Sequence, residues 1–169
     1  ATTDELTGLV NRREFERVAE EMLLAADRFE NGICVMLLDL NGFKQINDTY
    51  GHSVGDEVIV GVAERLVGAI RASDRVARWG GEEFTICALG VGLLGARKLA
   101  ETVRQSIRNE SFPTTAGAIA VTVSIGGTVH APGLCDPERM FRLADTALYR
   151  AKREGRDQWI IEGDGEGEG

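Results

Sequence analysis

The chain has 169 residues, 43% of them hydrophobic and 27% charged, the size and balance of one soluble domain around one core. Its net charge of −8 argues against binding a nucleic-acid backbone, which calls for a basic stripe, though a few local cations can still hold a nucleotide. No apolar run reaches the roughly 18 residues of a membrane span, and the polar opening Ala1-Thr2-Thr3-Asp4-Glu5 is no signal peptide, so a cytoplasmic setting is expected. The chain begins without Met, at what reads as a motif. It is therefore expected to be a segment of a longer protein, with an upstream sensor, regulatory domain or membrane anchor outside it.

In chain order, apolar residues at Phe15, Val18, Met22, Leu23 and Ala26 predict a helix from Asn11 to about Arg28, broken at Asn31-Gly32. Ile33–Leu38 is a continuous apolar run, read as a strand buried on both faces and ending at Asp39. A short helix follows over Phe43–Thr49, and Ser53 or Gly55 opens a longer one through Val58, Ile59, Val62, Leu66 and Ile70. Arg75–Trp79 and Glu83–Leu89 read as strands joined by a tight hairpin at Gly80-Gly81-Glu82. Gly90–Gly95 reads as loop, Ala96–Arg108 as helix and Ala118–Val129 as a β-branched strand. Pro137–Glu154 reads as a helix stopped by Gly155, and Gln158–Ile161 as a last short strand. This order predicts an α/β (α+β) domain over residues 1–161, a central mixed five-stranded sheet flanked by helices. Residues 162–169 alternate Gly with Glu or Asp, can bury no apolar surface and read as a disordered acidic tail.

The cysteines, Cys34, Cys87 and Cys135, are odd in number and widely spaced, and His52 and His130 form no cluster with them. Zinc is not expected, and Cys34 and Cys87 read as buried thiols of a reducing compartment.

Four places carry candidate chemistry. Asp39, just past a strand, is placed either to bind a ligand at a sheet edge or to cap the next helix. Gly80-Gly81-Glu82-Glu83 is either a solvated hairpin tip or, if the hairpin lies beside the Ile33–Asp39 strand, a second carboxylate source. The glycines permit positive φ and close ligand approach, and Asp39 with Glu82 could hold a hard cation such as Mg²⁺ with substrate phosphates. Lys152 and Arg156, four apart at a helix end, serve either a common anion or the helix dipole. Asn47-Asp48 and Gly51-His52…Gly55-Asp56 offer an amide and carboxylates that either cap loops or read a base edge, since a carboxylate matches the two N–H donors of guanine.

Taken together, these stretches resemble the GGDEF domain of diguanylate cyclases, from Asp4 to about Ile161. The residues that carry the resemblance fall into five blocks in order. They are Asp4-Glu5-Leu6-Thr7-Gly8-Leu9-Val10-Asn11-Arg12-Arg13-Glu14-Phe15; Asp39…Phe43-Lys44…Asn47-Asp48 with Gly51-His52…Gly55-Asp56; Arg78-Trp79-Gly80-Gly81-Glu82-Glu83-Phe84; Val123-Ser124-Ile125-Gly126-Gly127; and Ala144-Asp145…Ala147-Leu148-Tyr149…Ala151-Lys152…Gly155-Arg156. The resemblance implies the nucleotidyl-cyclase-like GGDEF fold, with the GGEEF motif on a β-hairpin. It also implies condensation of two GTP into cyclic di-GMP with release of pyrophosphate, by a homodimer with one GTP per subunit.

On that resemblance Asp39, the Leu40 carbonyl and Glu82 ligate two Mg²⁺ (or Mn²⁺) ions per active site. Glu83 contacts or deprotonates the ribose hydroxyl. Asn47 and Asp56 read guanine, with Phe43 beside them, and Lys44, Lys152 and Arg156 hold the phosphates. The Gly80-Gly81 backbone passes close to the α-phosphate. Arg71-Ala72-Ser73-Asp74 matches the family's RxxD inhibitory site for cyclic di-GMP.

Two positions depart from the pattern. Asn41 stands where most members have an aspartate. A further inhibitory-site arginine falls at Thr102, with Arg97 or Arg104 as candidates to replace it. The competing readings are a catalytically silent domain acting as a cyclic di-GMP or GTP receptor, and a dimerisation module. The retained Gly80, Gly81, Glu82, Glu83 and Asp39 favour the enzyme.

Overall fold

Ile33–Asn41 is the strand around which the rest is arranged, and its neighbours are antiparallel on both sides. The computed structural model describes residues 1–28, 32–131, 133 and 136–164. In chain order the elements are β1 (Val10–Asn11), α1 (Arg12–Arg28), β2 (Ile33–Asn41), α2 (Phe43–Tyr50), α3 (His52–Ala69), β3 (Arg75–Arg78) and β4 (Glu83–Leu89). They continue with α4 (Leu93–Arg108), β5 (Phe112–Thr114), β6 (Gly117–Ile119), β7 (Thr122–His130), α5 (Pro137–Arg153) and β8 (Trp159–Asp164). The main sheet runs β1-β3-β4-β2-β7-β8. Its two edge pairings, β1–β3 and β7–β8, are parallel and the rest antiparallel.

A strand presents alternate residues to opposite faces, and β2 divides its side chains that way. Cys34, Met36, Leu38 and Leu40 join a core with Val58, Ile59, Val62 and Leu66 of α3 and Ala96, Ala100 and Val103 of α4. Ile33, Val35 and Leu37 join a second core with Phe15, Ala19 and Leu23 of α1 and Met140, Ala144 and Leu148 of α5. Both faces are covered, which is why Ile33–Leu38 is apolar throughout. Truncating a fully buried residue such as Leu38 to Ala is expected to cost about 2–5 kcal/mol.

Helix α5 lies unusually close to the sheet because of Gly126. A Cβ there would come within 1.9 Å of the Leu148 backbone nitrogen, so only glycine permits this approach. The same helix carries Lys152 in its last turn.

Four features differ from the sequence expectation. The sheet has six strands rather than five, because Val10–Asn11 pairs in parallel with Ala77–Arg78 at the edge. Two residues carry no alternation to read. Ala118 does not open the long strand: Phe112–Thr114 and Gly117–Ile119 form a separate hairpin turning at Thr115-Ala116, with Gly117 at φ 103°, and β7 starts at Thr122. Helix α4 starts at Leu93, because Gly95, read as loop, is tolerated inside the helix. The last strand also runs on from Ile161 to Asp164, pairing with Thr128–His130. Asn31 of the predicted break, Cys135 and residues 165–169 of the acidic tail lie outside the described residues. Among those described, no helix is long and apolar enough to cross a membrane.

Candidate active site

The parity that sorts the cores also places the first acid. Asp39 follows Leu37 on the α5 face of β2, opposite Glu83 of β4 and Ser124 of β7. On that face Lys152, from the last turn of α5, forms an ion pair with Asp39. The backbone carries Glu82 to the same place: the Leu40 N–H donates to the Glu82 carbonyl at 3.1 Å, one pairing beyond the strand end. Burial pushes the Glu82 carboxyl above its ordinary value, the negative charges of Asp39 and Glu83 add to this, and Lys152 opposes it. Three carboxylates and one ammonium are thus gathered at one sheet end.

The turn itself differs in one respect from its expected use. Neither Gly80 nor Gly81 takes a positive φ. What they supply is space: a Cβ on Gly80 would sit 2.2 Å from the Glu83 Oε1, and Gly81 has nothing within 4 Å. The turn is held by Arg78, whose guanidinium donates to the Gly80 carbonyl at 3.2 Å and the Gly81 carbonyl at 2.8 Å. Its remaining nitrogen meets Asp4 at 3.2 Å. Asp4 also accepts from the Thr7 backbone and hydroxyl at 2.9 and 2.7 Å. Burial raises its pKa, but the bonds from Thr7 and the Arg78 charge outweigh that and hold it below the ordinary value. The chain start therefore clamps the turn 74 residues away.

The base-reading candidates lie beyond α2. The Asn47 Oδ1 is buried without a hydrogen-bond partner among the described residues. Gly55 makes its position possible, since a Cβ there would lie 1.9 Å from that oxygen and 3.2 Å from the Phe43 ring. Asp56 is exposed and lines a groove of about 570 Å³ with Leu6, Ser53, Glu57 and Val60. Lys44 is 91% exposed and leans towards Asp48 at 3.8 Å rather than towards the acids. Arg156 is exposed, and no hydrogen bond or ion pair within the described residues engages its guanidinium. These two cations are thus not drawn into the acid cluster as Lys152 is.

Residues 1–158 match the family profile "Diguanylate cyclase, GGDEF domain". The chain belongs to the GGDEF family. It is 41% identical over 155 residues to diguanylate cyclase DgcM of Escherichia coli, covering 92% of this chain and 37% of that protein. Against the response regulator PleD of Caulobacter vibrioides it is 37% identical over 159 residues, 93% of this chain and 35% of that one. The chain thus spans little more than a third of the curated relatives it matches. Among solved structures, the GGDEF domain of DgcB from Caulobacter crescentus in complex with c-di-GMP superposes with a TM-score of 0.89 at 32% identity, covering 95% of each chain. The active GGEEF domain of a Vibrio cholerae diguanylate cyclase does so at 0.83 and 31%, covering 90% of this chain and 97% of that one. The mixed sheet with flanking helices is the fold of this family.

Among the described residues no three His, Cys, Asp or Glu side chains are arranged to hold a metal by themselves. Two carboxylates and a carbonyl nevertheless fit Mg²⁺, which takes few protein ligands and fills its shell with water and phosphate oxygens. Burial first, and then the charges of Asp39 and Glu83, raise the Glu82 carboxyl, and a nearby cation would oppose both.

The GGDEF-family aspartate replaced by Asn41 has a definite substitute role here. The Asn41 amide donates to the Thr122 hydroxyl at 2.9 Å and accepts from Ser124 at 2.9 Å, stitching β2 to β7 beside Asp39. Asp74 of the RxxD motif is only 4% exposed, and both its oxygens accept from Arg71. Arg71 also donates to the Leu89 carbonyl at 2.9 Å and borders a cavity of about 310 Å³. Neither candidate replacement for the missing arginine is free: Arg97 donates to the Ile161 carbonyl, and Arg104 is paired with Glu101 and Asp157. Thr102 itself is exposed.

Asp4 and Arg78 sit inside motifs quoted from the sequence, yet nothing there couples them. Ser124 and Thr122 are similarly silent, since a strand hydroxyl reads as β-propensity.

Proposed function

We propose that this domain is a diguanylate cyclase: it condenses two GTP into cyclic di-GMP and releases two pyrophosphates, as a homodimer holding one GTP per subunit. The observation that carries this reading is the gathering of Asp39, Glu82 and Glu83 with Lys152 at the end of β2 and the β3–β4 turn. Asp39, Glu82 and the Leu40 carbonyl are the groups that would hold two Mg²⁺ (or Mn²⁺) ions. Bound there, the ions supply charge neutralisation for the triphosphate and acidify the attacking 3′-hydroxyl.

The chain's own residues do the rest. Lys152 exchanges its bond to Asp39 for phosphate oxygens, and Lys44 and Arg156, free of strong partners, join it. The open face at Gly81 admits the α-phosphate. Glu83 accepts the proton of the 3′-hydroxyl as its oxygen attacks the α-phosphorus and pyrophosphate leaves. The buried Asn47 Oδ1 and the Asp56 carboxylate accept from the N–H donors of guanine, which adenine cannot match. One subunit presents one such set, so two must face each other for both bonds to form.

Product inhibition is proposed at Arg71 and Asp74. Arg71 is the accessible member, able to stack on and pair with guanine, while Asp74 anchors it. A cytoplasmic location and an upstream regulatory domain complete the reading. The silent-receptor alternative finds no support in the acids, all of which are kept and converge. The test is product analysis: GTP with Mg²⁺ is expected to yield cyclic di-GMP and pyrophosphate by chromatography, and ATP none. No product from folded domain at high concentration overturns the reading.

A further inference from the structure

The segment after α5 carries three successive residues at positive φ: Gly155 at 126°, Arg156 at 61° and Asp157 at 46°. Only the first is a glycine. Two consecutive side-chain-bearing residues in the left-handed region persist only where their surroundings over-determine them, and such strain concentrates at functional sites.

The surroundings are specific. On one side, the Ala151 carbonyl accepts from the Arg156 N–H at 3.0 Å and from the Gln158 side chain at 3.0 Å. On the other, Asp157 reaches α4. Its two oxygens meet Arg104 at 3.0 Å and Arg108 at 2.9 Å, and Arg104 is in turn paired with Glu101, which also accepts from the Trp159 indole at 2.9 Å. Helices α4 and α5 pack on opposite faces of the sheet. The segment carries the chain between them to the edge strand β8, and Asp157 ties it to the far face.

We propose that Asp157 is a positioning residue for Arg156. Its ion pairs to Arg104 and Arg108 hold the strained turn whose backbone sets where Arg156 meets the triphosphate. This rests on the reading of Arg156 as a phosphate ligand. It also gives Arg104 a use in the active site rather than in cyclic di-GMP binding. The consequence is one of substrate affinity rather than chemistry, since Asp157 touches no reacting group.

The test uses the full chain. Binding of a non-hydrolysable GTP analogue with Mg²⁺ is measured by calorimetry, KM and kcat by turnover, and exchange of the Arg156 amide hydrogen without nucleotide. Asp157→Ala is expected to raise KM about tenfold with kcat changed less than about threefold, and to speed exchange of the Arg156 amide. Asp157→Asn, which tolerates positive φ and keeps an acceptor, is expected to recover most of the loss, and it carries the comparison if Asp157→Ala fails to fold. Arg156→Ala combined with Asp157→Ala is expected to be no worse than Arg156→Ala alone.

Normal analogue binding by Arg156→Ala overturns the phosphate-ligand reading and this inference with it. Impaired Arg156→Ala beside normal Asp157→Ala, or additive losses in the double variant, overturns the inference alone.

Discussion

At one end of the β3–β4 hairpin Glu82 and Glu83 stand beside Asp39, like charges held together. At the other end Arg71 and Asp74 are opposite charges already paired. The two ends are about 20 Å apart along β4, from the six steps of strand rise between Glu83 and Leu89. The first end holds like charges close together: burial raises Glu82, the charges of Asp39 and Glu83 add to this, and a nearby cation would relieve it. The second is complete without a ligand. A guanine arriving there must compete with bonds that Arg71 already makes to Asp74 and the Leu89 carbonyl. The two charged motifs on one hairpin thus differ in kind, one gathering like charges and the other pairing an arginine with a buried acid.

The largest effect should come from breaking the like-charged end. Glu83→Gln or Asp39→Ala is expected to lower turnover about 10²–10⁴-fold. Thermal unfolding should change little for Glu83→Gln, whereas Asp39→Ala also removes the Lys152 ion pair and should cost up to about 1 kcal/mol. Unchanged turnover removes their assigned roles.

Breaking the paired end should act differently. Arg71→Ala is expected to weaken cyclic di-GMP binding at least about tenfold, read by calorimetry. It should also lower stability by about 1–3 kcal/mol, because the buried Asp74 loses its side-chain donors. A variant that keeps full affinity removes the inhibitory site.

Acidity separates the ends more gently. Glu82 has its pKa raised in the fold, so Mg²⁺ affinity should fall as pH drops through that raised value, and isothermal titration at several pH values measures this. Its contribution to metal-free stability has the opposite sense. It favours the fold below the ordinary 4.5 and is lost as pH rises through the raised value. Asp4 runs the other way, stabilising above its ordinary 3.8 and losing that as pH falls through its lowered value. The smallest effect expected is from Asn41→Asp: a further negative charge beside Asp39 should move the Mg²⁺ pH profile up by about half a unit. An unmoved midpoint would show that Asn41 is electrically remote.

Much of this site is legible in the sequence because its parts end regular elements. The apolar run Ile33–Leu38 declares a doubly buried strand with Asp39 just after it, although β2 runs two residues further, to Asn41. The hairpin turn announces itself by Gly80-Gly81, and Lys152 by its place in the last turn of an amphipathic helix. What stays hidden is long-range pairing. The Arg78–Asp4 clamp, the Asn41–Ser124 stitch and the Asp157–Arg104 tie join residues 53 to 83 positions apart through side chains that read individually as surface charge or strand hydroxyl. The glycines of the turn show a further limit, since sequence reveals their permissiveness but not which freedom is used. Edge strands of two or three residues are likewise too short for a period to appear.

On the proposed function the acid cluster is half of an active site, completed by GTP, metal and a second subunit. The rate of cyclic di-GMP formation per subunit, measured from GTP over a wide range of protein concentration, tests it most directly. The per-subunit rate is expected to climb with concentration and then level, and to be abolished in Glu83→Gln. A rate per subunit independent of concentration in a monomeric sample, or no cyclic di-GMP at any concentration, would contradict it.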